Sequence, residues 1–149
     1  MMTSIAIIAT AISTLAASIS AYVTYRTWRD SKSDERLIVS EFQHAPVALW
    51  DHRQSVLWCT LLNKSRKKVD VRAVFAYDSK NEPIKITWSN QINDFGNPQN
   101  ASGRLVVVDS EPLYIRRNDG TAFSSCTIDI HHSFSPTPYR AYFDPYSEE

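Results

Sequence analysis

Residues 1–25 carry no charged side chain, and Arg26, Trp28 and Arg29 follow at once. At about 1.5 Å per residue such a stretch makes a helix of roughly 35 Å, enough to cross a bilayer core of about 30 Å. A segment this apolar must be covered by lipid or by protein. The chain after it has a complete pattern of its own and offers no matching helical face, so the expected cover is lipid.

The apolar residues are spaced as in a helix. Ile5, Ile8, Ile12, Leu15, Ile19 and Tyr22 follow at alternating steps of three and four and make one bulky ridge. Ala9, Ser13, Ala17 and Ala21 recur at steps of four, a small-xxx-small row of the kind that lets a second helix approach closely in lipid. This row is the candidate helix-packing face, for a membrane protein partner or for self-association. Ile5, Ile7, Ile8, Ile12, Leu15, Ile19 and Val23 each favour insertion by about 0.3–0.6 kcal/mol. The Ser and Thr hydroxyls offset part of that sum.

The flanks give an orientation. No Lys or Arg precedes the segment, whereas Arg26, Arg29, Lys32 and Arg36 follow closely. The positive-inside rule then puts the N-terminus outside and the remainder of the chain in the cytoplasm, as a signal-anchored single-pass protein of the cell (inner) membrane. Tyr22, Tyr25 and Trp28 suit the interface at the same end. A secretory signal is the rival reading, with residues 17–21 as a cleavage-like region. It would need basic residues ahead of a shorter apolar core, and here they lie behind a long one.

Sixteen basic and sixteen acidic side chains balance, so there is no electrostatic footprint for nucleic acid. Three glycines rule out a dinucleotide fingerprint, and no phosphate-binding loop of the Walker type is present. No cofactor is expected. Cys59 and Cys126 fall in separate predicted strands with no CxxC spacing and no neighbouring His pattern, which excludes a zinc site built on them. In the cytoplasm both are expected as thiols.

Residues 26–36 form a charged juxtamembrane connector, expected to continue the helix and fray before Leu37. Beyond it the pattern changes to alternation. Strands are expected at 37–42, 56–63, 69–77, 84–88, 105–108, 113–115, 126–131 and 139–143. In the third, Val69, Val71, Ala73, Phe75 and Tyr77 are expected on one face. Turn-forming residues separate the runs: Asn63, Lys64 and Ser65; Asp78, Ser79 and Asn81; Asn118, Asp119 and Gly120. Seven or eight short strands without an amphipathic helix imply an all-β antiparallel sandwich over residues 37–143, followed by an acidic tail, 144–149. In general layout the domain resembles the immunoglobulin- and fibronectin-type sandwiches of many single-pass proteins. The resemblance rests on strand pattern and implies a fold; it carries no function. Cys59 and Cys126 are separated much as in the inter-sheet disulfide of immunoglobulin domains, yet no Trp follows the first at the expected interval, and Ser124 replaces the Tyr two residues before the second.

Chemistry-bearing clusters are sparse. His131 and His132 are adjacent on a strand and point to opposite faces, so they cannot chelate one ion together. Asp129 and His131 share a face, with His44 or His52 as a conceivable third ligand, short of a metal set. No GxSxG elbow or placed carboxylate pair is present, and no catalytic or metal-binding residue is assigned. The densest charge cluster, Lys64, Arg66, Lys67 and Lys68, falls at a strand-to-strand turn and is the candidate membrane-surface basic turn. The polar segment 89–104 is expected as a long loop, with Phe95 its candidate partner-binding residue. Asn63 and Asn100 begin formal glycosylation sequons.

These readings point to a non-enzymatic interaction or accessory protein that presents a small cytoplasmic β-sandwich to a protein partner. The alternative is an exported, membrane-anchored sandwich acting as a receptor-like or envelope-binding module. A small metal-dependent hydrolase using His131 ranks third.

Overall fold

The computed structural model describes residues 2–33, 35–45 and 55–146. The chain forms two compact units, Met1–Glu35 and Arg36–Glu149. The first is a single helix, α1 (Met2–Ser33), which runs unbroken through most of the charged connector. Its Thr3–Arg29 portion is long and apolar enough to cross a membrane. Six of its hydroxyls are satisfied within the helix itself. Thr10, Ser13, Thr14, Ser18, Thr24 and Thr27 each donate to the carbonyl four residues earlier, at 2.8–2.9 Å. That removes much of the cost of carrying hydroxyls into hydrocarbon.

The second unit is antiparallel β throughout, with no helix among the described residues. Its strands are β1 (Leu37–Val39), β2 (Gln43–His44), β3 (Val56–Asn63), β4 (Val69–Asp78), β5 (Pro83–Ile84), β6 (Ile86–Ser89), β7 (Gln91–Ile92), β8 (Pro98–Gln99), β9 (Leu105–Val107), β10 (Ser110–Arg117), β11 (Cys126–His132) and β12 (Tyr139–Phe143). One sheet runs β1-β3-β10-β6, with β2 also on β3. The other runs β12-β11-β4-β5, with β9 also on β4; β7 and β8 pair as a hairpin. Leu57, Cys59 and Leu61 of β3 and Leu113 and Ile115 of β10 share one core with Val69, Val71, Val74 and Ala76 of β4 and Ile128 and Ile130 of β11.

Among the described residues twelve segments stand where seven or eight strands are expected, and two of the expected runs are divided by their pairing. The first expected strand is interrupted after Val39. At the break Ser40 donates its N–H to the Thr60 carbonyl, and its Oγ accepts the Thr60 N–H at 2.8 Å, so a side chain completes the ladder. The 84–88 run divides between sheets: Ile84 pairs with Ala76 of β4, while Ile86–Ser89 pairs with β10. The strand expected at 113–115 starts earlier: β10 begins at Ser110 and runs straight through Pro112. Pro112 lies opposite Thr60, and the β6 pairing starts only at Tyr114, so the missing N–H faces a side with no partner strand.

The faces of β4 need a larger correction. Val71 lies opposite His132 and Ala73 opposite His131, so Arg72 is an extra residue in the ladder. Such a bulge moves every later side chain to the other face. Val69 and Val71 point inward as expected, but then Val74 and Ala76 fill the core. Phe75, expected inside, is 47% exposed.

Candidate functional site

The basic turn is held by a buried asparagine. Asn63, the last residue of β3, donates through Nδ2 to the Lys67 carbonyl (2.7 Å) and the Val107 carbonyl (3.0 Å), and its Oδ1 accepts the Ser65 N–H (2.9 Å). Ser65 Oγ in turn accepts the Lys67 N–H at 3.1 Å. Three contacts on one buried side chain fix the turn, so the four cations are displayed on a built loop with their side chains exposed. The same contacts use both ends of the Asn63 amide, which makes this formal sequon a structural residue.

Two backbone bonds place the turn in the domain. The Lys64 N–H donates to the carbonyl of Arg36, the domain's first residue (3.1 Å), and the Asn63 N–H donates to the Asp109 carbonyl (2.8 Å). The turn therefore sits at the end of the domain where β1 begins, beside the β9–β10 turn. Exposed apolar side chains share this end: Ile38 and Leu62, cross-strand partners, and Val108, which is 52% exposed. Of the acidic groups nearby, Asp70 is engaged by Arg104 through both oxygens, at 3.1 and 3.0 Å.

The segment 89–104, expected as an irregular loop, contains the β7–β8 hairpin. Its tip is an asparagine turn: Asn93 Oδ1 accepts the N–H groups of Phe95 (3.0 Å) and Asn97 (2.9 Å). Gly96 provides the positive φ of 77° that closes it. Phe95 is 56% exposed on this framework. Ile92, in the same hairpin, packs toward Trp58 and Tyr114, whose rings stack at 6.3 Å. The Ser89 hydroxyl donates to the Gln99 carbonyl and ties the hairpin base to β6.

His44 belongs to β2 of the first sheet, whereas His131 stands on the outer face of the second. Asp129 and His131 do share that face, as their spacing implies. Asp129 is nevertheless taken by Arg140, which grips it with two bonds of 2.8 Å. That guanidinium bond holds the Asp129 carboxyl below its ordinary range against the opposing pull of burial. His131 stands edge-on to Phe75 at 5.4 Å, and His44 stands edge-on to Phe143 at 5.3 Å. His52 lies outside the described residues. Among the described residues no three His, Cys, Asp or Glu side chains converge. His132 Nδ1 accepts the Phe134 N–H at 3.2 Å, and burial lowers its pKa.

Cys59 and Cys126 are buried free thiols. Burial pushes Cys59 up to about 12 and Cys126 up to about 11, the latter opposed by the charge of Arg117. Neither has thiolate character near neutrality. On α1, the row Ala9, Ser13, Ala17 and Ala21 is exposed along its length, with Ser13 back-bonded to the Ala9 carbonyl.

Sequence reasoning located the basic turn, with Asn63 among its turn-forming residues, and Phe95, but it missed the turn that Asn93 builds beneath Phe95. Both asparagines begin Asx turns, in which the side-chain oxygen accepts a backbone N–H two residues on, and the available signal at Asn93 was the Asn itself. The Asp129–Arg140 fork had no local signal, since its partners lie eleven positions apart. No protein-family model matches the chain, and no curated protein matches it.

Proposed function

We propose that this chain is a membrane-anchored, non-enzymatic interaction or accessory protein: α1 spans the bilayer, and a sandwich of immunoglobulin- or fibronectin-like layout carries the contacts to a protein partner. The observation that carries the reading is the pairing of an exposed apolar helix with a β unit that has its own closed core. The two sheets share that core, which supports the sandwich layout. Phe95, presented on a hydrogen-bonded turn, is the recognition element best suited to an ordered partner. Because its turn is pre-organised, binding there costs little ordering entropy. In the helix, the Ala9–Ala21 row is the close-packing face.

The test is photocrosslinking of the full chain in native membranes. The reading expects a discrete adduct from a probe beside Phe95 that Phe95→Ala removes. It also expects an adduct from α1 that Ala9→Leu, Ser13→Leu and Ala17→Leu together weaken. Adducts unchanged by either set would sink it. A C-terminal reporter active only in the cytoplasm supports the N-out orientation, and a reporter active only outside reverses it.

The exported alternative has one observation in its favour: Cys59 and Cys126 lie on different sheets yet line the same core. Thiol titration of the denatured, unreduced protein separates the readings. Two free thiols support the cytoplasmic form, and none supports export with a bridge.

A further inference from the structure

We infer that the β1 end of the domain is a docking surface for the anionic headgroups of the same bilayer that anchors the chain. The inference rests on the reading of α1 as a membrane span. Arg36, Lys64, Arg66, Lys67 and Lys68 are exposed together at this end. Asp70 is occupied by Arg104, and Glu35, next in sequence to Arg36, and Asp109 of the β9–β10 turn only partly offset the five cations. This excess of positive charge stands out in a chain whose total is balanced.

Charge alone would fit any polyanion. The apolar neighbours narrow the choice. Ile38 and Leu62 are 42% and 37% exposed, and Val108 protrudes from the adjoining turn. Cations beside short aliphatic side chains match the headgroup–acyl boundary, where the charge meets phosphate and the aliphatic tip enters the outermost hydrocarbon. A nucleic acid or a soluble acidic peptide would leave those side chains in water. The covalent tether points the same way. Six residues separate Arg29, the end of the span, from Arg36, so even a fully extended chain reaches no farther than about 25 Å. The surface thus meets headgroups at high effective concentration, and weak individual contacts suffice. Asn63 supplies pre-organisation, because it holds the turn in its displayed form before any lipid is met.

The test uses the full chain in nanodiscs of phosphatidylcholine, alone or mixed with phosphatidylglycerol. An environment-sensitive fluorophore is attached at Val108→Cys, with Ser79→Cys at the opposite end of β4 as control; the native thiols are buried and react slowly. The expected result is a blue shift and a several-fold loss of aqueous quenching at position 108 in the mixed discs only. High salt should reverse it, since screening shortens the reach of these charges to a few ångströms. The combined variant Lys64→Gln, Arg66→Gln, Lys67→Gln, Lys68→Gln should abolish it, while position 79 stays wet throughout. If position 108 responds equally in both disc types, or ignores both salt and the combined variant, the inference is overturned. Should the combined variant fail to fold, the salt and lipid arms still decide. Extraction of the chain from vesicles by alkaline carbonate would overturn the anchor reading itself, whereas a retained chain with a lipid-blind label overturns only the docking surface.

Discussion

The helix and the β domain satisfy the same physical demands in opposite ways. In α1 the hydroxyls of Thr10, Ser13, Thr14, Ser18, Thr24 and Thr27 all close on a carbonyl four residues back, and the bulky side chains are exposed. In the domain, some polar groups pair with residues tens of positions away, as Asn63 does with Val107, and one set of aliphatic side chains is buried in a shared core. One unit is solved by local sequence alone; the other exists only when distant segments meet. A substitution in α1 therefore acts on one turn, whereas one in the domain's core acts on several strands at once.

The largest test truncates one aliphatic side chain in each unit. Leu113→Ala empties a fully buried site between β3 and β6 and should cost the domain about 2–5 kcal/mol in urea unfolding. Ile12→Ala removes an equivalent group from an exposed helical ridge and should leave domain unfolding unchanged. If Ile12→Ala lowered domain stability as Leu113→Ala does, the two units would not be energetically separate.

A second pair of substitutions tests the domain's own least legible feature. Val74 is 4% exposed and Phe75 is half exposed, the reverse of simple alternation. Val74→Ser buries a hydroxyl and loses methyl contacts, so about 2–4 kcal/mol is expected. Phe75→Ser should cost about 1 kcal/mol or less, mostly through its contact with His131. Equal costs would remove the bulge at Arg72.

That pair also shows why part of the fold could be read from sequence and part could not. The helix was legible from end to end because its spacing, flanks and hydroxyl bonds are all within four residues. The strand runs from Val56, Cys126 and Tyr139 were legible because alternation persists within them. Three features were not: the extra residue at Arg72, the sheet change between Ile84 and Ile86, and the Ser40 kink. Each is set by the partner strand across the ladder, which no local pattern reports. The candidate surfaces divide likewise. The cations of the basic turn are contiguous and visible, whereas Ile38, Leu62 and Val108 join them only through strand pairing.

Acid titration gives a smaller, signed effect. His132, lowered by burial, favours its neutral form in the fold, so stability begins to fall as pH drops through about 6.5. Asp129, lowered chiefly by its bond to Arg140, stabilises the fold above the ordinary carboxylate range near pH 4 and loses that contribution as pH falls through its folded value. Arg140→Ala removes the second stage and leaves the first. Its destabilisation should therefore be greatest at neutral pH and shrink toward pH 3, as followed by urea midpoints across the range. A pH-independent cost would mean that Arg140 acts only by packing, not through its bond to Asp129.

The smallest effect returns to the helix and is the most discriminating for its role. Replacing Thr10, Ser13, Thr14 and Ser18 by Ala deletes four hydroxyls that already bond to their own backbone. Because each is satisfied before insertion, removal should change the apparent insertion free energy by well under about 1 kcal/mol per residue, in the favourable direction. A helix that used these hydroxyls to bond a neighbouring helix would behave differently: insertion would still be preserved, but association would weaken by about 0.6 kcal/mol for each interhelical bond lost. Insertion and association measured on the same variant thus separate an anchor from an anchor that is also an interface.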